Sequence, residues 1–149
     1  MPTKEMLKPS LRFEHIWEDD SMIEIRVSAT DGFFSGLTEI YTSWESLSEF
    51  SNRLRGFPRT TLDTMEDTNG KVGGYSYLRL FFRCIDGAGH AAVEIEMEQN
   101  QKLAGPVDIR ARAKLGFAIE PVAIDNFVAQ LQTMVHSKKG SALLLGREA

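Results

Sequence analysis

The 149-residue sequence predicts an α+β fold: antiparallel meander sheets with two helices packed on one face, laid out as two repeats of strand-strand-strand-helix. Three observations predict it. Period-two alternation of apolar and polar residues, the mark of a strand with one buried face, recurs in two blocks separated by a polar stretch. Each block closes on a segment whose apolar residues recur at spacings of three and four, the mark of an amphipathic helix. The two helical segments, Leu47-Ser-Glu-Phe50-Ser-Asn-Arg-Leu54 and Ile124-Asp-Asn-Phe127-Val-Ala-Gln-Leu131, superpose without a gap at an offset of 77 residues (Leu47 to Ile124), which points to an internal repeat.

In the first block, Leu11 to Trp17 reads as a weak strand. Ile23, Ile25, Val27 and Ala29 alternate with Glu24, Arg26 and Ser28, and Asp31-Gly32 marks a tight turn. That turn chemistry folds the run from Phe33 to Thr42 back as an antiparallel partner. Ser43 is placed to cap a helix whose stripe is Trp44, Leu47, Phe50 and Leu54. Gly56 and Pro58 stop it, and Arg53 and Arg55 suit the negative end of its dipole.

Residues 59–74 are rich in Thr, Asp, Asn and Gly without periodicity, which predicts a long loop. The pattern then restarts. Leu78, Leu80, Phe82 and Cys84 alternate with Arg79, Phe81 and Arg83. After the turn Asp86-Gly87-Ala88-Gly89, Ala91, Val93, Ile95 and Met97 alternate with Ala92, Glu94, Glu96 and Glu98. A third strand, Val107 to Ile119, sets Val107, Ile109, Ala111, Ala113, Leu115 and Phe117 against Asp108, Arg110, Arg112 and Lys114. Pro121 opens the second helix, where its missing amide costs nothing, and Ile124, Phe127, Val128, Leu131 and Val135 form its stripe.

Charge orders the second block. Glu94, Glu96 and Glu98 share one face with Arg79 and Arg83 on the strand before and with Arg110, Arg112 and Lys114 on the strand after. Opposite charges across a sheet attract, so the acidic strand belongs between the basic ones, in a meander whose apolar face the helices cover. The chain is therefore read as a single domain over 1–149: repeat one about 11–57, a loop 58–75, repeat two about 76–136 and a C-terminal tail 137–149. Three consecutive leucines, Leu143 to Leu145, belong out of water, and the tail either frays or docks on its own or a neighbouring subunit.

Composition narrows the function classes. A chain of this length buries roughly 68–70% of its unfolded surface, enough for one core. With 42% hydrophobic and 26% charged residues it is an ordinary globular protein. The single Cys84 permits no internal disulfide and fits a reducing compartment. Residues 1–11 lack the apolar stretch of a signal peptide and no run approaches a membrane span, so the expectation is a cytoplasmic protein without membrane association. A formal charge of −4 argues against nucleic-acid binding and favours a basic partner.

No motif calls for catalysis, a metal or a cofactor. His15, His90 and His136 are scattered without metal-ligand spacing. Glu18-Asp19-Asp20 falls in a turn, where solvated carboxylates are common. Asp67-Thr-Asn-Gly70-Lys71-Val-Gly73-Gly74 lacks the signature of a phosphate loop and leads into a strand rather than a helix. Cys84 sits mid-strand on the apolar side, the setting of an inert thiol. Phe81 and Ile85 on the charged face, with Phe33, Phe34 and Tyr41 around one hairpin, leave part of the surface apolar enough for a partner. That patch and the tail are the two candidate routes to a homodimer.

Taken in order, Asp31-Gly-Phe-Phe-Ser-Gly36, Ser43-Trp-Glu-Ser-Leu-Ser-Glu-Phe50, Asp86-Gly-Ala-Gly-His-Ala-Ala-Val-Glu-Ile95 and Ile124-Asp-Asn-Phe127 with Leu131 form a pattern that resembles the WapI-type immunity proteins, small bacterial proteins found beside polymorphic toxins. The resemblance runs from about Trp17 to Met134 and rests on apolar residues, glycines and turns. It implies a cytoplasmic, non-enzymatic protein that binds a cognate toxin domain and blocks it, and it transfers no functional residue. The segment 59–74 and the leucine-bearing tail depart from the family pattern. Because specificity is often carried on loops, Asp63, Glu66 and Asp67 are the expected contacts to a basic partner surface. The alternative is a small-ligand-binding protein or an enzyme whose site is assembled from scattered residues.

Overall fold

A computed structural model of the chain describes residues 8–100 and 110–148. Its elements are β1 (Ser10–Glu18), β2 (Ile23–Thr30), β3 (Ser35–Thr42), α1 (Trp44–Leu54), β4 (Thr64–Gly70), β5 (Ser76–Cys84), β6 (Ala91–Gln99), β7 (Ala111–Ile119), α2 (Pro121–Ser137) and β8 (Ser141–Leu145). They form two antiparallel four-stranded sheets, ordered β3-β2-β1-β8 and β4-β5-β6-β7, with the two helices. The α+β class is as the periodicities predict. Val107 and Ile109, called as the start of the third strand of the second block, lie outside the described residues.

Two segments differ from the sequence reading. The predicted loop 58–75 contains β4, the edge strand beside β5, from Thr64↔Arg83 to Gly70↔Tyr77. Its inward residues are Met65, Asp67 and Asn69, of which only Met65 is apolar, so the segment carries no hydrophobic alternation to reveal a strand. The tail 137–149 contains β8, which pairs with β1 of its own chain from Ser10↔Leu145 to Glu14↔Ser141 and buries Ala142 and Leu144. Each repeat is thus a four-stranded meander followed by a helix, and the first strand of the first meander is supplied by the C-terminus.

The helices begin where their caps dictate. Ser43 Oγ accepts the Ser46 amide at 3.0 Å at the N-terminus of α1, and Pro121 opens α2. Each presents its predicted stripe inward: Leu47, Phe50 and Leu54 on α1, and Ile124, Phe127, Val128 and Leu131 on α2, are buried. The core is continuous between the sheets. Phe50 stacks on Phe13 of β1 at 5.8 Å and meets Phe82 of β5 at 6.4 Å, while Phe127 sets its edge against Phe13 at 5.6 Å.

The sheets also meet directly where β3 crosses β6 and β7. Thr38, fully buried, donates its hydroxyl to the Glu98 carbonyl at 2.7 Å. Gly36 is required at this crossing, because a Cβ there would lie 2.6 Å from Met97 Sδ and 2.8 Å from Ala113 Cβ.

On the open face of the second sheet the predicted charge order holds. Arg79 lies opposite Glu96, which lies opposite Lys114, and Glu98 lies opposite Arg112. Lys114 Nζ is 3.2 Å from Glu94 and Arg112 is 3.0 Å from Glu98.

Candidate functional site: an aromatic stripe around Glu24

On the open face of the first sheet the chain exposes aromatic rings in contact. The position of Trp17 follows from an irregularity in β1. The pairing with β2 shifts register between His15 and Trp17, so that Trp17 falls opposite Glu24. A slip of one residue turns a side chain to the other face, and the bulge delivers Trp17 outward where strict alternation from Phe13 points it inward. Tyr41, on the outer face of β3, lies on the other side of Glu24. Tyr75 immediately precedes β5, and its carbonyl accepts the Asn100 amide at 3.0 Å.

These three rings form a row. Trp17 and Tyr41 meet edge to face at 6.2 Å, and Tyr41 and Tyr75 lie 6.0 Å apart. Each is 41–47% exposed, with Met22 beside β2 also exposed. The Tyr41 hydroxyl is held above its usual pKa, first by its hydrogen bond with Tyr75 and then by the negative charge of Glu24. It therefore stays a neutral phenol across the physiological range. Glu24 lies within the row, opposite both Trp17 and Tyr41, and Asp20 is exposed in the turn after β1. Asp19 is spent on that turn, accepting the Ser21 and Met22 amides at 2.9 Å, and those bonds hold its carboxyl below the ordinary value. An aromatic surface with a carboxylate set in it suits cationic side chains, which gain both ring quadrupole and charge attraction.

The three carboxylates expected to bind a partner do not converge. Asp63 closes a turn, accepting the amides of Arg59 at 2.6 Å and Thr60 at 3.1 Å. Glu66 points to the charged face of the second sheet and pairs with Arg79 at 2.7 Å. Asp67 points to the opposite face, beneath α1, where burial raises its pKa and Arg53 at 3.0 Å opposes that rise. The segment reaches the stripe through other residues: Asn69 donates to the Tyr41 carbonyl at 3.1 Å, and Tyr75 adds the third ring. The sequence groups Tyr41 with Phe33 and Phe34 as surface apolar enough for a partner, but the β1 bulge and the turn holding Tyr75 leave no pattern by which to join Trp17 and Tyr75 to it.

A second polar cluster links Asp86, His90, Glu120 and Arg147. His90 Nδ1 is 2.5 Å from Asp86, its Nε2 is 2.8 Å from Glu120, and Glu120 is 3.0 Å from Arg147. An Asp-His pair is a familiar general-base arrangement, but here both ring nitrogens are engaged by carboxylates and neither is left to take a substrate proton. The cluster fastens the β5-β6 hairpin to the start of α2 and to the C-terminal segment. The Cys84 thiol donates to the Asp86 carbonyl at 3.0 Å. Among the described residues no group of three or more His, Cys, Asp or Glu side chains is disposed to hold a metal ion, and no helix is long and apolar enough to cross a membrane.

Comparison with protein-family models, with curated proteins and with solved structures finds no match to this chain.

Proposed function

We propose that the chain is a non-catalytic binding protein that holds a basic protein partner on the Trp17, Tyr41 and Tyr75 stripe, in the manner of an immunity protein occluding a cognate toxin domain. The observation that carries this reading is the row of three half-exposed aromatic rings in which Tyr41 touches both Trp17 and Tyr75, with Glu24 opposite Trp17 and Tyr41. Aromatic anchors of this size dominate the energetics of protein interfaces. The sequence resemblance to immunity proteins supplies the class of partner, and the formal charge of −4 its sign.

A small-ligand reading points to a cavity of about 330 Å³ whose lining includes Val72, Tyr77, Glu98 and Arg112. Its buried carboxylate, Glu98, is already engaged by the Gly73 amide, Asn100 and Arg112, which leaves it little to offer a ligand.

Co-expression tests the proposal. The product of the adjacent gene is expressed alone and with this chain, and growth is followed. Growth arrest relieved by the wild-type chain, but not by a folded Trp17→Ala/Tyr41→Ala variant, supports the reading. Rescue that survives loss of both rings overturns the assigned surface, and the absence of any toxic neighbour overturns the immunity role.

A further inference from the structure

The four sheet edges are not protected alike. On β3 the Glu39 amide donates to Gln99 Oε1 at 2.9 Å and the Tyr41 carbonyl accepts from Asn69. On β4 the Glu66 carbonyl accepts from Arg53 at 2.5 Å, and on β8 the Leu143 amide donates to Gln130 at 2.8 Å. On β7 the only such bond among the described residues is at one end, where Arg147 donates to the Ala118 carbonyl at 2.8 Å. That bond fixes the phase of the strand: the backbone groups of Ala118, and by alternation those of Gly116, Lys114 and Arg112, face away from β6. For these last three, no described residue meets the outward amides and carbonyls.

We propose that the β7 edge is a docking site for an extended acidic segment of a partner protein, which adds to the second sheet as a fifth strand.

Charge selects the occupant. Across the open face the strands alternate in sign: Glu66 on β4, Arg79 and Arg83 on β5, Glu94, Glu96 and Glu98 on β6, Arg112 and Lys114 on β7. Ion pairs join neighbouring strands: Arg79 to Glu66 at 2.7 Å and to Glu96 at 3.6 Å, Lys114 to Glu94 at 3.2 Å, Arg112 to Glu98 at 3.0 Å. The series ends on two cations whose side chains are 59% and 60% exposed, so a strand that continues it places carboxylates opposite Arg112 and Lys114. Gly116 sharpens the pattern. It has no side chain on this face, and a Cβ there would lie 2.7 Å from the Val93 carbonyl, so the edge is left bare for a large side chain of the incoming strand. An antiparallel arrival therefore reads as aromatic, any residue, Glu, any residue, Glu.

The same charges disfavour the commonest rival. Pairing β7 with β7 of a second copy in a register centred on Arg112 or Lys114 sets like charges opposite one another, which is unfavourable across a sheet and acts as a filter against self-association. This surface lies on a different sheet from the aromatic stripe and does not depend on it.

The test is fluorescence anisotropy of the full chain with a labelled peptide of that pattern. Its controls are the same peptide N-methylated at both glutamates, which keeps the charge and removes the amides that meet β7, and a lysine-for-glutamate peptide. Saturable binding of the acidic peptide, lost on N-methylation and weakened roughly three- to tenfold in Lys114→Glu, is the expected result. Lys114→Gln, which removes the charge without reversing it, gives an intermediate loss. No saturable binding to the wild-type chain overturns the proposal. So does equal binding of the N-methylated peptide, which reveals charge attraction without strand addition, and so does a dimer in light scattering that Lys114→Glu changes.

Discussion

Arg53 and Gln130 occupy the same position in the two halves of the molecule. They stand 77 residues apart on α1 and α2, and each reaches from its helix to the outward backbone of the following strand: Arg53 to the carbonyl of Glu66, Gln130 to the amide of Leu143, again 77 residues apart. The first residues of the two strands, Thr64 and Ser141, keep that offset, as do the buried Phe57, just past α1, and Met134, in the last turn of α2. Both edges are closed by a side chain rather than by another strand, which limits edge-to-edge association. Gln130→Ala is expected to cost about 1 kcal/mol in urea denaturation and to speed exchange of the Leu143 amide while leaving β5 and β6 protected. Unchanged exchange at Leu143 would contradict the capping role.

The C-terminus completes the first sheet. Truncation after Gly140 removes β8, uncovers the Leu11 edge of β1 and strips α2 of its strand. The expected outcome is a chain that does not fold, seen as loss of near-ultraviolet circular dichroism and of dispersed amide resonances. A truncated chain that melts like the full one would show β8 to be dispensable.

Phe50 bridges the sheets. Its ring touches Phe13 on one side and Phe82 on the other, with no room to collapse independently of either. Phe50→Ala is expected to cost about 3–5 kcal/mol, read as a shift in the urea midpoint. Phe33→Ala, at a ring 88% exposed, serves as the control and should change stability by no more than about 0.5 kcal/mol.

The His90 cluster makes stability depend on pH. The hydrogen bond to Asp86 raises the His90 pKa, assisted by the charges of Asp86 and Glu120 and opposed by burial and Arg147. A histidine whose folded pKa is raised contributes stability that is fully present below its unfolded value near 6.5 and is lost as pH rises through the folded value. Asp86, whose pKa is lowered chiefly by His90, contributes stability present above its unfolded value and lost as pH falls through the folded one. The clasp is therefore tightest between the two folded pKa values. Wild type should lose stability from pH 6 to pH 8.5 more steeply than His90→Gln, and the His90 ring should titrate above the ordinary histidine value by nuclear magnetic resonance. Parallel pH profiles would contradict the assignment.

Legibility in the sequence followed the hydrophobic pattern. β2, β5, β6 and both helices bury one unbroken stripe each, and their residues alternate or recur accordingly, so their type and much of their extent were readable. The order of β5, β6 and β7 was readable because Arg79, Glu96 and Lys114 had to neutralise one another. β4 was not, because two of its three inward residues are Asp67, paired with Arg53, and Asn69, bonded to the Tyr41 carbonyl, so polar contacts do there what apolar packing does elsewhere. The candidate site was the least legible part. Trp17 owes its outward direction to a bulge that leaves no mark in the residue pattern, and Tyr75 joins Tyr41 across 34 positions of sequence.

The most direct test of the binding role is calorimetric titration of the purified chain with the protein encoded beside it, comparing wild type with Tyr41→Ala, Trp17→Ala and Phe33→Ala. A one-to-one complex weakened roughly thirtyfold by loss of Tyr41 or Trp17, as for interface residues worth about 2 kcal/mol, and unaffected by loss of Phe33, is the predicted result. A complex indifferent to both stripe residues would contradict it.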